Sequence, residues 1–261
     1  MKILGVFAVS LLLFSGIARA EKFVIAWSAV SALNSPFWVM NDTGFLKQAG
    51  LDMELVYIAS SPTVARATLA GEIVISGANS QVIVDVGLGG GDLVAMGAIT
   101  NVVAFYVMAA PEIKSVADLK GKVVGVTRFG ASTDFGMRMI ANLAKEEIPF
   151  MHIGLTTSKK WVREHRPQAK AFIRAYGRAI HFMHTRKEET RAIFAKYTKI
   201  NDAAMLDGSI QYGYDFMEKI PLVKAQAFQV TLDQIAKSNP KAKQAKPEQF
   251  FDNSLVQELV E

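Results

Sequence analysis

Short apolar runs and amphipathic stripes alternate along the first half of the chain, divided by small polar residues, Gly and Pro. Lys22–Trp27 (KFVIAW) is apolar and β-prone and predicts an opening strand. The small polar loop Ser28–Ser35 follows, and Pro36 stands where a helix can begin, so a short helix is expected over Phe37–Thr43, stopped at Gly44. Gly50 ends a second short turn. Leu51–Ile58 reads as a strand, and Ser60-Ser61-Pro62-Thr63 caps a helix through Leu69 with Gly71 beyond it. Ile73–Ile75 predicts a buried strand, Gln81–Leu88 a helix, and Leu93–Ile99 and Ala104–Ala109 two more strands.

Further along, Pro111–Leu119 reads as a connector with a helical turn, and Lys122–Val126 (KVVGV) as a strand. The polar loop Thr127–Asp134 then caps a helix over Phe135–Lys145, and Ile153–Thr156 is one more strand. Beyond it the period is helical. Ala171, Phe172, Ala175, Tyr176, Ala179, Ile180 and Met183 form a 3.6-residue stripe within Pro167–Thr185. Lys187–Tyr197, Ala203–Met217, Gln226–Ser238 and Leu255–Val260 are further helices by the same criterion. Alternating strands and helices predict an α/β fold with a mainly parallel sheet.

Residues 1–20 have a different pattern. Lys2 is a short positive start, Ile3–Phe14 an apolar run, and Ala18-Arg19-Ala20 a small-x-small site, which together read as a cleavable secretory signal peptide. A retained anchor is the rival reading, but the run is shorter than the ~20 apolar residues a span requires. An exported, periplasmic protein is expected. The net charge is +5 for the chain and +3 without Lys2 and Arg19, with no cluster of cations and aromatics of the kind that grips nucleic acid. There is no Cys, hence no disulfide, thiolate metal site or Cys nucleophile.

Ligands of open α/β sheets bind beyond the strand carboxyl ends. Those ends carry Ser28, Ser60, Asn79 and Asn101, which are small polar groups rather than strong acids, bases or nucleophiles. Plain turn and cap chemistry explains the same residue types. A helix beginning at Ser60-Ser61 would turn free N–H groups and the positive end of its dipole toward a carboxylate, sulfonate or nitrate. Trp27, Phe37 and Trp38 suit core packing better than a cleft wall. Gly89-Gly90-Gly91-Asp92 lacks the Lys-Ser/Thr ending of a phosphate loop. His181 and His184 share a helix face without an obvious third ligand, and Asp134, Asp202 and Asp207 form no recognisable catalytic pair. No cofactor or metal is expected. The Lys-rich stretch Lys237–Lys246 suits a solvated face, with docking to a permease as the alternative.

Several stretches, in order, resemble a known family: VIAWSAVSALNSPFWV, LDMELVYIASSPTVARATLAGEI, ISGANSQ, APEIKSVADLKGKVVGVTRFGASTDF, AFIRAYGRAIHFMHTRKEET and NPKAKQAKPEQFFD. The chain is similar to the periplasmic substrate-binding proteins of ABC importers that handle nitrate, sulfonates, taurine and thiamine-precursor pyrimidines (SsuA-like and NMT1/THI5-like). The resemblance implies a type II periplasmic-binding-protein lobe, a small anionic or aromatic ligand, a permease with its cytoplasmic ATPase as partner, a monomer, and no catalysis. It places a first lobe at 21–114 and 151–261. The second lobe should open with Lys122–Val126, and Arg128, Ser132 and Thr133 in the loop Thr127–Thr133 would then face Ser60 and Ser61 across the ligand. Gly130 would admit a close backbone approach.

The chain departs from that family in its second lobe. Only one strand and one helix fall between Gly121 and Ile153, whereas an independent lobe needs about three strands with a covered face. Residues 115–150 therefore read as a remnant left by an internal deletion. Val123, Val124 and Val126 must either pack on the first lobe or leave an exposed apolar edge. Two rival readings stay open: a truncated remnant that no longer binds ligand, and an enzyme resembling the pyrimidine synthases of the same fold, which the absence of Cys disfavours.

Overall fold

A computed structural model describes residues 23–129, 131–140 and 148–260. The signal segment 1–20 lies outside the described residues, as do Lys22 and the end of the helix expected to run to Lys145. In chain order the elements are β1 (Phe23–Trp27), α1 (Ser35–Asp42), α2 (Phe45–Gln48), β2 (Met53–Tyr57), α3 (Ser61–Leu69), β3 (Ile75–Ala78), α4 (Ser80–Leu88) and β4 (Val94–Val102). Then come α5 (Ser132–Ile140), β5 (Pro149–Thr157), α6 (Lys159–Glu164), α7 (Arg166–Thr185), α8 (Lys187–Thr198), α9 (Ala203–Phe216), α10 (Ala225–Ile235) and α11 (Ser254–Val260).

One five-stranded sheet of order β2-β1-β3-β5-β4 organises these elements. β1 pairs in parallel with β2 and β3, while β5 runs antiparallel between β3 and β4. The sheet is therefore mixed: four strands share a direction, and the late strand β5 inserts against it. Both faces are covered, which is why β1 is a continuous apolar run. Its Ile25 and Trp27 face the larger core with α1, α7 and α8, and Val24 and Ala26 pack with Val64 of α3 on the other side. A second apolar cluster joins α4, α10 and the β4–β5 region.

Helix α7 buries Phe172, Ala175, Tyr176, Ala179, Ile180 and Met183, as the stripe requires, with Ala171 half-buried at its margin. Phe37 and Trp38 are fully buried, and Trp27 meets Trp38 edge-on at 5.2 Å, so these rings are core. The turns that end α1, α2 and α3 place Gly44 and Gly50 and Gly71 at positive φ, where side chains with a Cβ are strained.

Three expected strands differ. The strand expected at Ile73–Ile75 begins only at Ile75 and runs through Ala78. Ala104–Ala109 and Lys122–Val126 form no strand at all. Their β-prone composition is real, but β propensity needs a neighbouring ladder and a face to cover, and neither segment joins the five-stranded sheet. Of the two fates foreseen for the Val123, Val124 and Val126 edge, Val123 and Val124 meet the second and stay in solvent, with Val126 half-buried. Helix α5 packs back on the sheet through Phe135 and Met139 against Ile148 and Phe150, with the Phe135 and Phe150 rings stacked at 4.0 Å. Residues 122–125 stay exposed. Among the described residues there is no second sheet.

Candidate functional site

The parallel pairing of β2, β1 and β3 brings their carboxyl ends to one edge. The ladder continues past β1 and β2, with Ile58 N–H donating to the Trp27 carbonyl at 3.1 Å and Ser60 N–H to the Ser28 carbonyl at 3.2 Å. Ser28 and Ser60 are thus adjacent. Ser60 holds φ 72° and ψ 137°, a backbone region that non-Gly residues seldom enter. Its Oγ lies 3.2 Å from Thr63 Oγ1.

Helix α3 begins at the buried Ser61. Its capacity for an anion is smaller than its sequence implies. Pro62 has no N–H, and the N–H groups of Thr63 and Val64 both donate to the Ser60 carbonyl. Among the first-turn amides, only that of Ser61 is left open. Helix α4 is better placed. Asn79 caps it, its Oδ1 accepting from Val82 N–H at 2.9 Å, and the amides of Ser80 and Gln81 occupy the first turn, where an α-helix supplies no internal acceptor.

Behind this edge lie two polar atoms without partners. Asn79 is fully buried and its Nδ2 donates to nothing. Asn34, also fully buried, donates from Nδ2 to the Ala29 carbonyl at 3.0 Å, while its Oδ1 accepts nothing. Asn34 Oδ1 sits 3.3 Å from where a Cβ on Gly77 would stand, so the glycine lets this amide lie directly on β3. A buried donor and a buried acceptor left unsatisfied each carry a desolvation cost of about 1–3 kcal/mol, which a ligand or water can relieve. Asn34 was not singled out in the sequence. Within SALNSP it reads as an ordinary cap, and only the pairing of β1 with β3 brings it beside Gly77.

The loop before α5 reaches this edge through one contact. Arg128 Nη1 donates to Thr63 Oγ1 at 3.4 Å, and Arg66 Nη2 donates to the same oxygen at 3.4 Å. Neither guanidinium has a carboxylate partner among the described residues. Thr133 Oγ1 accepts from Thr127 N–H at 3.1 Å and lies 2.8 Å from Thr127 Oγ1, closing the loop on itself. Ser132 starts α5. Of the predicted residues, Ser28, Ser60, Ser61 and Arg128 therefore cluster, Asn79 sits on the same sheet edge, and Ser132 and Thr133 stand at the base of the loop carrying Arg128.

Asn101 has a different role. Its Nδ2 donates to Glu218 Oε1 and to the Leu222 carbonyl, each at 2.9 Å, and its Oδ1 accepts from Lys224 N–H at 3.0 Å. The side chain is committed to holding the 218–224 connection on β4. His184 stacks on Tyr214 at 4.7 Å. Among the described residues no three His, Cys, Asp or Glu side chains group as a metal site. Nor is any helix among them long and apolar enough to cross a membrane.

Residues 34–147 match the family described as NMT1/THI5 like. No curated protein matches the chain. Among solved structures, a protein of Bordetella bronchiseptica RB50 superposes with a TM-score of 0.76 at 15% identity, over 91% of this chain and 96% of that one. The Candida albicans CA3427 gene product, whose family exhibits the generic periplasmic binding protein structural fold, gives 0.63 at 13% identity over 89% and 96%. The periplasmic aliphatic sulphonate binding protein SsuA from Escherichia coli gives 0.61 at 15% identity over 88% and 91%. At these identities the likeness is one of fold. The chain carries an α/β fold of the periplasmic-binding-protein kind, and its residues 34–147 are similar to the NMT1/THI5-like family.

Proposed function

We propose that this protein is an exported solute-binding component of an ABC importer, capturing a small anionic or aromatic organic solute in the periplasm for delivery to a permease without chemical change. The observation that carries the reading is the sheet edge where Ser28 and Ser60 meet beside the buried, unsatisfied amides of Asn34 and Asn79. A binding site needs a few polar groups held in place by a rigid frame, and these sit at the ends of three paired strands. Arg128, reaching Thr63 from the far loop, supplies a cation, and Ser61, Ser132 and Thr133 complete the polar set. The similarity to a sulphonate binding protein supports the same class.

The test is a thermal melt of the exported protein with sulfonates, carboxylates, nitrate and pyrimidines. A ligand that binds only the folded state at a hundred times its dissociation constant adds about 2.7 kcal/mol of stability. One ligand class should raise the midpoint, and Asn79→Ala, whose cap loss lowers the ligand-free midpoint, should abolish the ligand-induced increment. A midpoint unmoved by every class refutes the reading.

One observation favours a second reading, a remnant that no longer binds. The described residues form a single sheet, and binders of this type close two lobes on their ligand. In this reading 21–114 and 151–261 are a first lobe and 115–150 the residue of a second. A cooperative melt that no ligand shifts is its expected result.

A further inference from the structure

Away from the sheet edge, the extended segments 105–110 and 122–125 run beside α5 and enclose a groove of about 530 Å3. Its walls are apolar and in solvent: Met108 is 90% exposed, Tyr106 74%, and Val123 entirely, with Val107 and Val124 also exposed. The backbone N–H groups of Tyr106–Ala109 and of Val123–Val126 donate to no acceptor among the described residues. Residues of this composition, extended and unpaired, are strand edges without a sheet.

The exposed parts of these five side chains come to on the order of 600 Å2, at the top of the roughly 300–600 Å2 that the largest apolar patch of a monomer spans. That is most of the ~800 Å2 each partner gives to a specific interface. The occupant has to bring two things: an extended backbone to meet the open amides, and apolar side chains to fill the groove. Every copy of this chain carries both, in the same two segments. Pairing about a two-fold axis uses the same patch on both partners and closes on itself, leaving no further edge open. Glu112 and Lys122 also line the groove, and neither has an ion-pair partner among the described residues, so a two-fold can set unlike charges against each other.

We propose that this face pairs two copies of the chain, each laying its 122–126 segment as an antiparallel strand into the groove of the other. The proposal does not depend on the ligand reading, and it opposes the monomer implied by the family resemblance.

Sedimentation equilibrium of the exported protein over a dilution series tests it, together with hydrogen exchange at 105–109 and 123–126. A reversible dimer is expected, with the 123–126 amides protected in the dimer and fast in the dilute monomer. Val123→Asp should raise the dimer dissociation constant at least about tenfold while leaving the thermal melt of the monomer unchanged, because the side chain it replaces touches only solvent there. Met108→Asp should act in the same direction. A monomer at every concentration with fast exchange overturns the proposal, as does a dimer that both substitutions leave intact, or an open-ended series of oligomers. Protection that appears only when a different protein is added overturns it too, and hands the surface to that partner.

Discussion

His152 makes the most direct test of the packing described above. It lies on β5 in the interior, its ring 4.3 Å from that of Phe105 and 6.4 Å from that of Phe150, with Nδ1 bonded to nothing. Burial alone pushes its pKa from 6.5 down to about 3. The sign follows from linkage. The unfolded chain takes up the proton below pH 6.5 and the folded one does not, so stability is at its full value above 6.5 and falls as the pH drops toward 3. Each pH unit inside that window costs about 1.4 kcal/mol, so going from pH 7.5 to 5 should cost about 2 kcal/mol.

Other groups do not obscure this window. The Glu258 carboxylate, held low by Lys170 and Arg166, loses its contribution only at more acid pH. His184, lowered by burial and by Lys219 and His181, is common to both proteins compared. Urea unfolding of the native chain and of His152→Phe at the two pH values is the assay. The substitution shifts absolute stability through its shape change, but the pH-dependent loss should shrink by about 2 kcal/mol in the variant. Equal losses in the two proteins would refute the buried, neutral histidine and with it the packing of Phe105 and β5.

Two further outcomes are expected. Asn101→Ala removes three hydrogen bonds that hold residues 218–224 on β4; at about 1 kcal/mol each it should destabilise by roughly 2–3 kcal/mol in urea, leaving ligand affinity of the folded fraction unchanged. Ser60→Gly relieves the positive φ and should raise the thermal midpoint by the equivalent of about 1 kcal/mol, whereas Ser60→Ala, which keeps the strain, should not; equal midpoints for the two variants would show that the backbone at Ser60 is unstrained.

Much of the architecture is written in local pattern. The 3.6-residue stripe of α7 needs no partner to be recognised, because one face of a helix must be apolar whatever it packs on. The opening strand, the cap at Asn79 and the glycines ending α1 and α3 are likewise local, set by backbone sterics and by the unsatisfied amides of helix termini. These place Ser28, Ser60, Ser61 and Asn79 at element ends, where the structure has them.

What local pattern leaves open is who pairs with whom. Ala104–Ala109 and Lys122–Val126 have the composition of strands and are none, since a strand is a relation between segments and their neighbours are absent from the described sheet. The insertion of β5 antiparallel between β3 and β4 depends on a return of the chain from far along the sequence. So do the roles of the polar residues. Asn101 and Asn79 look alike in sequence, yet the 218–224 connection saturates one and the burial of the other leaves its amide open. Asn34 joins the candidate site only because the fold sets its amide against Gly77. Sequence by itself determined the helices, the opening strand and the cap at Asn79; contacts between distant segments decided which segments pair as strands and which polar groups are spent on the fold.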